Sequence, residues 1–215
     1  DRQVMEFPIP IQQPLPFRQT RIGYEVAPGE TGGDKTIVAF GKLLCRFDDP
    51  VELHAAALLA DYLAGDTEAP LKRAFLEKGL CQDVSLSVTD GIFQPFVTLS
   101  IRNTRQEQFA EAEKCLSDTV REILARGLDK EALLAELERM AFSSREIEEP
   151  YGLILGLTAL DGWLYGDDPL TYIETAGIYD ALRRKVDGSC FADLLAELLG
   201  DGAKLCKVRL LPSET

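Results

Sequence analysis

A six-residue loop between two predicted helices carries side chains that can do chemistry. The segment GDTEAP, at residues 65–70, places two carboxylates, a hydroxyl and a glycine before a helix start. Such a set can bind a metal ion, form an acid–base pair or cradle an anion. The same residue types also separate helices. Gly65 favours a left-handed helix end. Asp66 or Thr67 can accept hydrogen bonds from exposed amides, and Pro70 suits a first turn. We interpret the loop as helix punctuation.

The single histidine of the chain, His54, has no partner for the usual chemistry of imidazole. A catalytic zinc site of the His-Glu-x-x-His type, or its inverse, needs two imidazoles and a carboxylate base. A Ser-His-Asp or Cys-His arrangement is formally possible, but no Gly-x-Ser-x-Gly supports it. Neither a dinucleotide-binding Gly-x-Gly-x-x-Gly nor a phosphate-binding loop occurs. We interpret His54 as an ordinary helix residue.

Paired acids and cysteines give no better candidate for a site. Adjacent acids occur at residues 48–49, 148–149 and 167–168. Neighbours on a helix or strand point apart, and each pair lies at an element boundary, where carboxylates cap helices. The five cysteines are widely spaced with no Cys-x-x-Cys, which excludes a structural zinc site and fits a cytosol-like compartment. We therefore assign no catalytic, cofactor-binding or metal-binding residue, and expect no cofactor in this chain.

Charge and hydropathy exclude two classes of partner. With 23 basic and 36 acidic residues, the net charge of −13 repels nucleic acid and anionic membranes. No apolar run approaches the roughly 20 residues that span a bilayer, and no signal segment opens the chain. The first residue is Asp1 rather than Met, so we expect a processed chain or an excised piece. The length of 215 residues suffices for a substantial core.

Two regions differ in their patterning. Residues 1–17 contain four prolines among apolar residues and are predicted to be a linker or strap. Residues 18–215 are predicted to form a single domain. Alternating residues at 21–26 and a more buried run at 36–44 predict two strands, paired as a hairpin through the glycine-rich segment 28–34.

The remaining predicted elements are a second pair of strands, several helices and a closing strand. Strands at 84–88 and 95–101 are predicted to form a second hairpin around Asp90-Gly91. The capping signals of Asp49, Gly127 and Asp129 delimit further helices. Residues 151–165 predict an apolar helix without a polar face, which favours burial. Two short helices (178–186 and 191–199) and a closing strand (204–210) follow. This order predicts an α+β fold with a mainly antiparallel sheet covered by helices on one face.

Several stretches together resemble one family. Residues 58–80, with Gly-x-x-x-x-Pro-Leu followed by Glu-x-Gly-Leu, and residues 91–101, with Gln-Pro-Phe, are similar to blocks of the insulinase/pitrilysin-type zinc metallopeptidases. The segments 162–170 and 208–213 resemble a late helix-to-loop segment and the closing strand of the same family. The resemblance is to the presequence-protease branch and covers the chain from Arg18 onward.

The resemblance implies a specific place for the chain. Family members are clamshells of four related α+β domains (the LuxS/MPP-like fold). The first domain binds zinc through His-x-x-Glu-His and a distal Glu, and the last supplies an Arg and a Tyr to the substrate. This chain has neither element. It reads KGLCQDV at 78–84, where the stretch with that Arg and Tyr would lie. It therefore resembles the non-catalytic second domain of the N-terminal half, which buttresses the zinc domain and walls the peptide chamber.

The resemblance also implies partners. We expect zinc only in the catalytic domain of the parent protein, a zinc metalloendopeptidase, and an inactive chain on its own. The expected partners are that zinc domain, the C-terminal half of the same polypeptide and peptide substrates. The expected location is the bacterial cytoplasm or an organellar matrix, in soluble form. An acidic chamber wall would favour basic peptides, a hypothesis that rests on net charge alone.

Two other functions stay open at this point. The chain can be a scaffold or binding module with no peptidase attached, like the inactive relatives in the core of respiratory complexes. A free-standing enzyme that uses Cys or Asp chemistry is the remaining alternative. An upstream His-x-x-Glu-His would favour the peptidase over the scaffold.

Overall fold

The structure is a computed structural model that describes residues 9–13, 18–26, 35–147, 149–200 and 205–213. Within these ranges the chain forms one five-stranded sheet and seven α-helices, which confirms the predicted α+β fold. The strands are β1 (Gln19–Glu25), β2 (Thr36–Leu43), β3 (Asp83–Thr89), β4 (Phe96–Thr104) and β5 (Cys206–Ser213). The helices are α1 (Pro50–Ala64), α2 (Pro70–Glu77), α3 (Phe109–Arg126), α4 (Lys130–Ser143), α5 (Tyr151–Trp163), α6 (Ala176–Val186) and α7 (Cys190–Leu199).

The strand order β1-β5-β2-β4-β3 corrects one prediction. β2 and β1 are not a hairpin: β5 lies between them, parallel to β1 and antiparallel to β2. Leu210 of β5 stands opposite both Ile22 and Ile37. A glycine-rich segment permits the chain to reverse but does not make its flanking strands neighbours, and a distant strand can supply the hydrogen bonds of both. The predicted turn at 28–34 lies outside the described residues.

The second predicted hairpin is confirmed and forms the other half of the sheet. β3 pairs antiparallel with β4, with Val84 opposite Ile101, and β4 pairs with β2. Burial alternates along β2 and β4. The buried residues Val38, Leu99 and Ile101 belong to the hydrophobic core that they share with the helices. The opposite face carries half-exposed residues, so the helices cover one face of the sheet, as predicted.

The central helix α1 begins and packs as its sequence predicts. Asp49 caps it, since its carboxylate accepts a 3.0 Å hydrogen bond from Glu52 N, and Pro50 occupies the first turn. Nine of its 15 residues are buried, among them Leu58, Leu59 and Leu63. α1 packs against β3, α2, α4, α6 and α7. A helix with apolar residues around most of its circumference is stable here because neighbours surround it.

Two further helix boundaries follow the predicted signals. α3 ends before Gly127, whose φ of +85° is open to glycine at little steric cost. Asp129 caps α4, and its carboxylate accepts from Glu131 N at 3.0 Å and from Ala132 N at 3.1 Å. Among the described residues, no helix is both long and apolar enough to cross a membrane.

The burial predicted for residues 151–165 is wrong. α5 forms, but of its 13 residues only Gly162 is buried. Leu153 is 60% exposed, Leu157 55% and Trp163 62%. The apolar composition correctly predicts a helix, but within the described part of this chain the N-terminal half of that helix is largely uncovered. The partner of a helix is set by tertiary and domain contacts that local sequence does not encode.

Candidate functional site

The loop at 65–70 is a capping structure. The Asp66 carboxylate accepts from Glu68 N at 2.9 Å and from Ala69 N at 2.8 Å, so both of its interactions serve the chain turn before α2. Pro70 occupies the first turn of α2, as predicted. No group of three potential metal ligands occurs among the described residues. Asp66 therefore satisfies exposed amides before α2, as predicted, although the N-cap residue itself is Ala69, which has no side-chain cap.

Gly65 is glycine for a reason other than the predicted one. Its φ and ψ of −67° and −39° are right-handed helical, so the expected left-handed helix end is wrong. A Cβ at this position would lie 2.6 Å from the carbonyl oxygen of Asp61, well inside van der Waals distance. Close approach to the preceding turn, and not an unusual φ, requires the glycine.

His54 lines a mainly apolar cavity and is arranged as a structural residue. Its Nδ1 is 2.8 Å from the carbonyl oxygen of Pro50, one turn earlier in α1, and its ring packs edge-on against Tyr179 at 5.8 Å. Burial lowers the pKa of His54, and the hydrogen bond to Pro50, which raises the pKa, is the smaller effect. The net lowering favours neutral imidazole. The cavity, of about 360 Å³, also contacts Asp61, which forms an ion pair with Arg139 at 2.9 Å. Ser87 also lines this cavity, but the hydrogen-bond contact of His54 is with its own helix.

The other predicted cap residues also serve local structure. Asp48 pairs with Arg46 at 3.4 Å. Asp168 accepts from Leu170 N at 2.9 Å, and Asp167 accepts from Asp168 N at 2.8 Å. Glu148 lies outside the described residues. These carboxylates therefore fix chain turns, which agrees with their interpretation as boundary residues.

The cysteines with shifted pKa values are poor candidates for thiolate chemistry. Burial, followed by the charges of Glu52 and nearby aspartates, raises the pKa of Cys45 to about 12. Burial and then Asp83 raise the pKa of Cys81 to about 11. A nucleophilic or metal-binding cysteine needs the opposite shift.

The exposed apolar face of α5 is a feature that sequence reasoning missed. Leu153, Leu157 and Leu164 recur at spacings of four and seven residues, so they lie on one side of the helix. Residues 151–160 contain no charged side chain. The signal was present in the sequence as a helix without a polar face, but burial within the domain was the simpler expectation.

An aromatic cluster anchors the chain just after α5. The Tyr165 ring lies 5.1 Å from Phe47 and 5.6 Å from Phe93, between ring centres. The guanidinium of Arg46 sits over both phenylalanine rings, 5.8 Å and 5.5 Å from their centres. The C-terminal end of α5 is therefore fixed to the domain, whereas its N-terminal half is exposed.

Comparison with known proteins decides the family. The model of the Peptidase M16 inactive domain matches residues 3–140, more than half of the chain. The chain belongs to the peptidase M16 inactive-domain family. The peptidase M16 inactive domain from Pseudomonas fluorescens has the same fold, with a TM-score of 0.64 at 18% identity over 96% of this chain and 46% of that one. The resemblance to insulinase-type peptidases is thereby confirmed.

Curated relatives are much longer than this M16 domain. Protein HypA of Clostridium perfringens is 27% identical over 201 residues, which are 92% of this chain and 21% of that protein. Presequence protease 1 of Arabidopsis thaliana is 26% identical over 176 residues, 77% of this chain and 16% of that protein. The chain thus spans about a fifth or less of these two relatives. Its lack of catalytic, cofactor and metal residues stays a prediction.

Proposed function

We propose that this chain is the non-catalytic partner domain of a zinc metallopeptidase, which buttresses the catalytic domain and helps to wall a closed chamber where peptides are degraded. The observation that carries this proposal is that a member of an inactive-domain family aligns with only 16% of presequence protease 1. The remainder of such a protein has room for a catalytic domain. Zinc, peptide binding and cleavage are therefore assigned to the rest of the polypeptide and its chamber.

The arrangement of the domain supports a mechanical role. Its polar loops end helices, the imidazole of His54 bonds to its own helix, and the pKa values of Cys45 and Cys81 are raised. Within the proposal, residues 18–215 act as one unit and residues 1–17 as a strap. The described part of that strap contacts the β3–β4 connection: Gln12 N donates to Gln94 Oε1 at 2.6 Å, and Gln94 Nε2 donates to Gln12 O at 3.2 Å.

Complementation tests the proposal. The full polypeptide lacking these 215 residues should not cleave a fluorogenic peptide, and adding the chain as a separate protein should restore zinc-dependent cleavage. Full activity without the chain would contradict a buttressing role. A full polypeptide that binds no zinc and cleaves no peptide would favour the scaffold instead.

The hypothesis that an acidic chamber wall favours basic peptides has a separate test. The net charge of −13 predicts that the chain binds basic peptides more tightly than acidic ones, and that the preference weakens with salt. Fluorescence anisotropy with a matched basic and acidic peptide at several salt concentrations measures it. Equal affinities at low salt would remove charge as the basis of substrate preference.

A further inference from the structure

The exposed side of α5 carries several apolar side chains and not one isolated leucine. Leu153 and Leu157 are 60% and 55% exposed, and Leu164 after the helix is 67% exposed. Ile154 and Tyr151, on neighbouring positions of the same helix, are each 39% exposed. Before α5, Phe142 and Ile147 are 66% and 72% exposed. Exposed apolar side chains grouped on one helix, as on α5, mark interaction surfaces in soluble proteins.

The way α5 is held argues for a partner and against a loosely attached helix. Its C-terminal end is tied to the domain through buried Gly162 and through Tyr165, whose ring packs against both Phe47 and Phe93. Asp161 lies close to Gly91 in the β3–β4 connection. The helix is therefore oriented by the domain while its first ten residues carry no charge and little cover. A fixed orientation with an uncovered apolar face is the form of a docking element.

Charge decides between two occupants. A second copy of this chain would bring another −13 to the interface, and two such copies repel each other. The curated relatives instead extend well beyond the aligned region, since 201 aligned residues are only 21% of Protein HypA. A neighbouring domain on the same polypeptide is held at high effective concentration, so it can cover α5 without strong affinity between free molecules.

We propose that the apolar face of α5, formed by Leu153, Leu157 and Leu164, docks in an uncharged apolar surface of another domain of the same polypeptide. This inference rests on the proposed function in one respect, namely that the chain is part of a multidomain protein. It names the surface through which the domain is joined to its neighbour. Burial on docking removes the exposed leucines from water, which is the driving force.

Amide hydrogen exchange in the full polypeptide tests the proposal. Amides 154–160 should exchange slowly in the wild type and about tenfold or more faster in Leu153→Glu/Leu157→Glu, because two buried carboxylates would expel the helix from its partner. The control Leu134→Glu, on the exposed side of α4, should leave that exchange unchanged. Amides of α1 report in each variant that the core is intact. Equal exchange at 154–160 in all three proteins would overturn the proposal.

A cross-linking experiment does not depend on a folded double variant. A photoreactive benzoylphenylalanine at Leu157 of the full polypeptide should cross-link to residues outside this chain within the same molecule. The same group at Leu134 should not. Cross-links between two copies, or protection at 154–160 that rises with protein concentration, would assign the face to self-association and overturn the proposal. Neither readout needs peptidase activity, so an inactive polypeptide with a protected α5 would refute the proposed function alone.

Discussion

Helices α1 and α5 are of similar length and similarly apolar, yet they lie at opposite extremes of burial. Nine of the 15 residues of α1 are buried, and only one of the 13 residues of α5 is. Apolar residues around the whole circumference of a helix show that it will be covered on every side. They do not show whether the cover comes from its own domain. Burial of α1 therefore belongs to the core of this domain, whereas the exposed face of α5 is the surface that we propose docks in another domain.

Truncating a leucine in each helix should give the largest difference in stability. Leu63→Ala should lower the free energy of unfolding by about 2–5 kcal/mol, because Leu63 is fully buried and its loss leaves a cavity. Leu157→Ala should change it by less than about 0.5 kcal/mol in the 215-residue chain, because Leu157 is mostly exposed. Urea denaturation of the two variants measures both. Equal losses would show that α5 is covered within the domain.

A charged cluster on the covered face of the sheet should have the next largest effect. The carboxylate of Glu113 on α3 accepts from Lys207, whose side chain is 5% exposed, and from Arg209 at 2.9 Å. Glu113→Gln should lower the free energy of unfolding by about 2 kcal/mol at neutral pH. The loss is smaller than for a fully buried pair because Glu113 itself is partly exposed. Glu122→Gln, on the solvent side of α3, should have no measurable effect in the same urea titration.

The effect of Glu113 should depend on pH in a defined direction. Burial alone would raise the pKa of Glu113, but hydrogen bonds from Lys207 and Arg209 outweigh it and hold the pKa below the ordinary 4.5. A carboxylate with a lowered folded pKa stabilises the fold fully above pH 4.5, and this contribution is lost as the pH falls through the folded pKa. The difference between wild type and Glu113→Gln should therefore shrink below pH 4.5. A difference that grows with acidity would contradict the pairing.

The loop at 65–70 should give the smallest effect and distinguishes capping from ligand binding. Asp66→Ala should destabilise the chain by about 1 kcal/mol, because two backbone amides lose their acceptor. Glu68→Ala should be close to neutral, since that side chain is 82% exposed and lies 4.0 Å from Arg73. Thermal unfolding of both variants with and without divalent cations provides the measurement. Equal losses that appear only with the cation present would point to a metal site.

Local signals made the boundaries predictable from sequence. Asp49, Asp129 and Gly127 act within one turn of their own positions, so residue type and neighbours suffice. The place of β5 between β1 and β2 could not be predicted in the same way, because it depends on residues far apart in sequence. Gly65 shows a similar limit: its type is predictable at a helix end, but its conformation is set by the Asp61 carbonyl.

In the candidate site, too, local roles could be predicted from sequence and tertiary contacts could not. Residue types alone led to the interpretation of Asp66 as a cap, because metal and catalytic chemistry needs partners that the sequence lacks. The exposure of Leu153 and Leu157 could not be predicted, since the sequence of a domain does not contain the surface that covers it. The sequence feature that relates to the proposed docking is the missing polar face of residues 151–160.

The most direct test of the non-catalytic role is one fluorogenic peptide assay, run with and without zinc. It compares three proteins: the 215-residue chain, the full polypeptide, and the full polypeptide with Leu153→Glu/Leu157→Glu. We expect no cleavage by the chain under either condition and zinc-dependent cleavage by the full polypeptide. The double variant should lose at least about tenfold in activity, since about 1.4 kcal/mol of lost docking corresponds to that factor. Zinc-dependent turnover by the isolated chain would contradict the assignment of this domain as the non-catalytic partner.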